Sequence, residues 1–160
     1  MKRFIIGVVF LVAFSWGASY NPVNITQEDR VLEVLFRLER VLNERDLKGF
    51  MRHVYRGKDY FLIERGVEKL FDRIEAVSDV PLICIFNPEV DMGAFYTRVR
   101  FEFFINGVDK KTKKRICLKD SCSVVFAKVG NRWMITDWGI TAEKIFKRER
   151  KEELYKWRWE

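Results

Sequence analysis

Two carboxylates stand out by their company. Asp137 lies in the apolar run Trp133-Met134-Ile135-Thr136-Asp137-Trp138, and Glu64 in Leu62-Ile63-Glu64-Arg65-Gly66. A carboxyl group facing an apolar hollow has its pKa raised by desolvation, which fits it for acid or base work near neutral pH. Asp137 is therefore a candidate catalytic group if it points inward, and a structural one if it points outward or pairs with Arg98 or Arg100. Glu64 is the second candidate; its other role is at the start of a helix, where the dipole favours a carboxylate. Tyr60 and Tyr96 have hydroxyls to offer a ligand in the same space, although both suit strands equally well. Trp133 is long enough to line or close one end of it.

The remaining chemistry is sparse. His53 is the single histidine and lies beside the stripe Leu47-Phe50-Met51-Val54, so it reads as a boundary residue with no serine or cysteine partner by spacing. One His and three Cys make a four-ligand zinc site hard to build, and neither metal nor cofactor is expected. Cys117 and Cys122 flank Leu118-Lys119-Asp120-Ser121. A bridge between them closes a short loop worth about 2–3 kcal/mol and leaves Cys84 as a buried thiol. Cys84 paired with either of them is the alternative if their strands are neighbours.

Composition frames these residues. Of 160 residues 48% are apolar and 15% aromatic, which excludes disorder. Met1-Lys2-Arg3, an uncharged stretch from Phe4 to Trp16, and Gly17-Ala18-Ser19 read as the three regions of a secretory signal peptide. The apolar stretch is short of the roughly 20 residues that a bilayer span requires. Residues 1–19 are thus expected to be cleaved near Ser19 or Tyr20, leaving a periplasmic or extracellular protein. Loss of Lys2 and Arg3 lowers the net charge from +7 to +5. Lys110, Lys111, Lys113, Lys114, Arg115 and Lys119 crowd between Asp109 and Asp120. They are expected to form a solvated hairpin tip that blunts an edge, with an anionic membrane surface as the other use. Nucleic acid is not expected of an exported chain.

The elements that must position all this follow from periodicity. Thr26 with Asp29 caps a helix whose stripe is Val31, Leu32, Val34, Leu35, Leu38, Val41 and Leu42. Asn43 and Asp46 break it, and a short second helix ends near Arg56-Gly57. Asp59 to Glu64 reads as a short strand, and Val67 to Val77 as a third helix. Beyond Pro81 the period turns to two. Strands are expected at Leu82–Phe86 with an exit at Asn87-Pro88, up to a turn at Asn106-Gly107, over Lys113–Lys128 with an interruption near Leu118–Ser121, and over Arg132–Ile140 after the Gly130-Asn131 turn. Thr141 caps a charged helix over 141–160. Three helices on one side of a curved antiparallel sheet make an α+β domain with a cone-shaped hollow.

Arg45-Asp46-Leu47 after the first helix and Lys128-Val129-Gly130-Asn131-Arg132-Trp133-Met134-Ile135-Thr136-Asp137-Trp138 at the last hairpin resemble motifs of the nuclear transport factor 2-like (NTF2-like, SnoaL-like) superfamily. The resemblance spans roughly residues 27 to 140, within a domain of 24–140. It implies a cone of helices on a curved sheet, with Trp133 at a core or dimer-face position. Its ketosteroid isomerase layout needs a base, which falls near Glu64, a Tyr on the first helix, which is absent, and an Asp, whose place falls near Cys122. That activity is not supported. The expected function is an exported, non-catalytic module that binds a partner or a second copy, as a homodimer, through its sheet. The alternative is a binder or enzyme for a small apolar molecule using Asp137 and Glu64.

Overall fold

The computed structural model describes residues 25–148. The segment read as a signal peptide, and the charged helix beyond residue 148, lie outside the described residues.

Helix α1 (Gln27–Asn43) opens as expected, through a reciprocal cap. Thr26 Oγ1 accepts from the Asp29 N–H at 3.1 Å, and Asp29 Oδ2 accepts from the Thr26 N–H at 2.8 Å. Arg45 takes the left-handed conformation (φ 57°), and Asp46 then caps α2 (Leu47–Met51) by accepting from the Gly49 N–H at 2.9 Å. Helix α3 is Tyr60–Arg73. The short strand expected over Asp59–Glu64 is instead its first turn and a half. Tyr60 and Ile63 extend the stripe Val67, Leu70 and Phe71 backwards at helical spacing, and Phe61 and Leu62 fall outside it, 74% and 68% exposed.

Among the described residues five strands form one antiparallel sheet: β1 (Ile74–Ala76), β2 (Ile83–Met92), β3 (Tyr96–Asp109), β4 (Arg115–Val129) and β5 (Arg132–Trp138). One edge of β3 pairs with β2 and then β1, and its other edge pairs with β4, which pairs with β5. Asn87-Pro88 is not an exit but a bulge, where Asn87 takes φ 50° and the register shifts between Phe86 and Glu89. Nor is Asn106-Gly107 a turn. Gly107 lies inside β3 between Ala76 and Ile116, and a Cβ there would meet Ile74 Cγ2 at 2.5 Å and the Glu75 carbonyl at 2.7 Å. The glycine serves close approach of backbones, and the turn comes later, with Lys113 at φ 59°. β4 runs without interruption, with Ile116, Leu118, Cys122, Val124 and Phe126 alternating on its inner face.

Both edges of the sheet are covered in part. Asn43 at the end of α1 donates to the Ile83 carbonyl and accepts from the Ile83 N–H, each at 2.9 Å, and Glu39 accepts from the Ile85 N–H. The residues after α2 add a short parallel bridge to β5. Tyr55 N–H donates to the Ile135 carbonyl and Ile135 N–H to the His53 carbonyl, both at 2.7 Å. Thr141 opens a last helix, described over 142–148, whose Ala142, Ile145 and Phe146 are buried.

Candidate functional site

The space enclosed by helices and sheet is occupied by side chains. Phe50 meets the Trp138 ring edge-on at 5.1 Å, and Phe101 tilts against the same indole at 6.4 Å. Leu35, Leu38, Val99, Val124 and Phe126 around them are fully buried. The Trp138 Nε1 proton is buried among these rings and has no acceptor among the described residues. Apolar rings thus fill the interior between the helices and the sheet.

Asp137 does not point into that interior. Val125 of β4 faces Asp137 and Phe126 faces Ile135, which leaves Thr136 as an extra residue in β5. Thr136 Oγ1 donates to the Val125 carbonyl at 3.2 Å. This bulge reverses the alternation. Trp133 and Ile135 face inward before it, Trp138 faces inward after it, and Asp137 is exposed. Tyr96 is not a lining residue either; at 63% exposed it stands beside Phe95 at the β2–β3 hairpin. Glu64 and Tyr60 are half-buried on α3, where Tyr60 packs edge-on against Phe61 at 5.5 Å. The four proposed polar liners therefore form no common site.

The expected Cys117–Cys122 bridge is ruled out by β4 itself. Five residues along an extended strand span about 16 Å, whereas bridged Cα atoms lie within about 7 Å. All three cysteines are free thiols. Cys84 and Cys117 sit on strands with β3 between them, so that alternative fails too. Burial pushes the Cys122 thiol up to about 12.

The lysine-rich turn folds back onto α3 instead of standing clear of the sheet. Lys110 N–H donates to the Arg73 carbonyl at 2.8 Å, and Lys110 Nζ to the Phe71 carbonyl at 3.2 Å. Arg45 donates to the Ile74 carbonyl at 2.7 Å and also to the Phe71 carbonyl. Cations thus gather at a helix C-terminus, where the dipole favours them. Buried Asp109 locks the same corner. It accepts from Arg73 Nε and Nη2 at 3.3 and 3.2 Å, from the Lys111 N–H at 3.0 Å and from Thr112 Oγ1 at 2.9 Å. The Arg73 guanidinium, ahead of the other donors, holds its carboxyl down at about 2. Arg73 stacks on Phe146 with its Cζ 3.6 Å from the ring centre, which fastens the last helix.

This corner itself borders an open cleft of about 660 Å³ lined by Lys69, Asp72, Arg73, Lys110, Glu143 and Phe146 among others, and two further surfaces carry groups suited to binding. The outer sheet face presents Cys84, Phe86, Phe104 and Val125, all half-buried. Around them charges of opposite sign face one another across the strands: Glu89 with Arg100, Asp91 with Arg98, and Lys119 3.2 Å from Glu102. The second surface is a cleft of about 250 Å³ between α1, the end of α2 and the start of β5, lined by Arg30, Glu33, Arg37, His53, Arg132 and Trp133 among others. Sequence reasoning marked Trp133 and dismissed His53. It missed the arginines, although Arg30, Glu33 and Arg37 share a helical face and so were legible as a group.

No protein-family model and no curated protein sequence matches the chain. Solved structures do match in backbone. A nuclear transport factor 2 (NTF2-like) superfamily protein from Salmonella enterica serovar Typhimurium LT2 superposes with a TM-score of 0.53 at 14% identity, over 66% of this chain and 82% of its own. A ketosteroid isomerase-like protein from Erwinia carotovora atroseptica gives 0.54 at 11% identity, over 69% and 92%. A conserved protein from Planctomyces limnophilus gives 0.52 at 13% identity, over 68% and 89%. The chain has the NTF2-like fold, helices on an open antiparallel sheet with an added C-terminal helix.

Proposed function

We propose that this NTF2-like chain is an exported, non-catalytic module that associates with a second copy of itself through the outer face of its sheet. The observation that carries the reading is the division between the two sheet faces. The inner face is packed with Phe50, Phe101, Phe126 and Trp138, while the outer one pairs acidic and basic residues around half-buried Phe86 and Phe104. A two-fold interface brings one patch against itself, so it favours a patch that carries both signs. Four strands about 4.8 Å apart and about ten residues long offer roughly 600 Å² of flat area. That approaches the roughly 800 Å² that one partner contributes to a standard interface.

Sedimentation velocity of the chain from Tyr20 onward tests association. A concentration-dependent shift from monomer to dimer is expected, and Phe104→Glu, with its circular dichroism unchanged, should remain monomeric. A wild-type monomer at every concentration would overturn self-association. Export is tested separately, by fractionating expressing cells and sequencing the N-terminus. A chain beginning near Tyr20 outside the cytoplasm supports it, and intact Met1 chains inside refute it.

A further inference from the structure

The cleft above Trp133 collects donors and no free acceptor charge. Arg30, Glu33 and Arg37 come from one face of α1, His53 from the segment after α2, and Asn131 with Arg132 from the last hairpin. Glu33 is already engaged, 2.6 Å from Arg37 Nη2. Among the described residues Arg30 and Arg132 have no carboxylate within ion-pair distance. The cleft walls therefore carry two uncompensated positive charges beside a half-buried imidazole. Lys128, with its Nζ 5.8 Å from the Trp133 ring centre, adds to the same field.

Guanidinium groups match phosphate oxygens through paired, planar N–H donors. A phosphate monoester carries close to two negative charges at neutral pH, which equals the surplus. The Asn131 amide and the imidazole add neutral donors, and a cleft of about 250 Å³ admits a phosphate group with a small organic stem. We propose that this cleft is a binding site for a phosphomonoester, held by Arg30, Arg37 and Arg132 with His53 and Asn131 completing the donor set. The site is independent of the sheet-face association, which uses the outer face of β2, β3 and β4, whereas the cleft is lined from α1, the segment after α2 and the last hairpin.

The electrostatics of His53 provide a readout that activity does not. Burial, then Arg37, Arg132 and Arg52, depress its pKa below the usual 6.5. The charged groups facing it are these three arginines, Arg30 and the engaged Glu33. A bound dianion offsets the arginines and should raise the His53 pKa.

The test is NMR titration of the His53 ring proton and the Trp133 indole N–H in the full mature chain, with phenyl phosphate and inorganic phosphate as probes. Phenyl phosphate should shift both resonances saturably and raise the His53 midpoint. Inorganic phosphate should do so with affinity weaker by about tenfold if the organic stem adds contacts worth some 1.4 kcal/mol. Equal affinity for both would overturn the monoester in favour of a plain phosphate site. Arg132→Ala should abolish the saturable shift, and Arg132→Lys, which keeps the charge but loses the fork and the fold risk, should weaken it. Absence of a saturable shift in the wild type, or a shift unchanged in both variants, would sink the proposal.

Discussion

At the scale of single residues, the buried groups make the clearest commitments. Asp109 is depressed in the fold, so it stabilises the native state above the ordinary value of 3.8 and ceases to do so as the pH falls towards about 2. With Arg73 partly open to solvent, that contribution is about 1–2 kcal/mol after screening. Urea titrations between neutral pH and pH 2 should show the wild type losing this increment and Asp109→Asn, already weaker at neutral pH, losing less. An equal loss in both proteins would assign the acid sensitivity elsewhere. Trp138 presents the opposite situation, with a large apolar body and an orphaned N–H. An unmade buried hydrogen bond costs about 1–3 kcal/mol. Trp138→Phe removes that defect and some contact area together, so its stability should stay within about 1 kcal/mol of the wild type. Trp138→Ala should cost about 3–5 kcal/mol in the same denaturation experiment.

Among the elements, the helices were the more legible. The Thr26–Asp29 cap and the break at Asp46 were both readable because a cap and its partner sit within one turn of each other. The start of α3 was misread because Tyr60-Phe61-Leu62-Ile63 is apolar throughout, and a short apolar run has no period of its own. The helix was disclosed only by joining Tyr60 and Ile63 to Val67. The strands failed at a different point, since Asn-Gly and Asn-Pro are turn signals whose meaning depends on neighbours in space. Gly107 is held in β3 by Ile74, which packs where its side chain would be. Gly107→Ala should therefore destabilise the sheet by at least 1–3 kcal/mol, as overpacking does, with the β1–β3 pairing exchanging amide hydrogens fastest. Protection of Glu75 and Val108 amides equal to the wild type would contradict that account.

For the whole molecule, the sequence of three helices followed by four long strands was readable from periodicity and from two motifs, while the short β1 was hidden in what read as the end of the third helix. The structure places these elements in the NTF2-like arrangement. The site was far less readable. Whether Asp137 faced in or out hung on a residue with no partner across the strand, and no pattern in the sequence announces such a residue. The arginine cleft is assembled from Arg30, His53 and Arg132, which lie on three separate stretches of chain that only folding brings together. Local pattern reports which face of an element is apolar; it is silent on which exposed faces meet.

Thr136 has one more effect. Everything downstream inherits its parity: Gly139 closes against Cys122 at a distance that leaves no room for a side chain, and Phe146 reaches Arg73. Excising Thr136 would send the polypeptide out of the last strand with its two sides exchanged, steering Asp137 towards the rings and the terminal helix away from its seat. Such a chain should lose the Arg73–Phe146 stacking and bind the dye ANS through newly bared apolar surface, whereas Thr136→Ala, which keeps the count, should not.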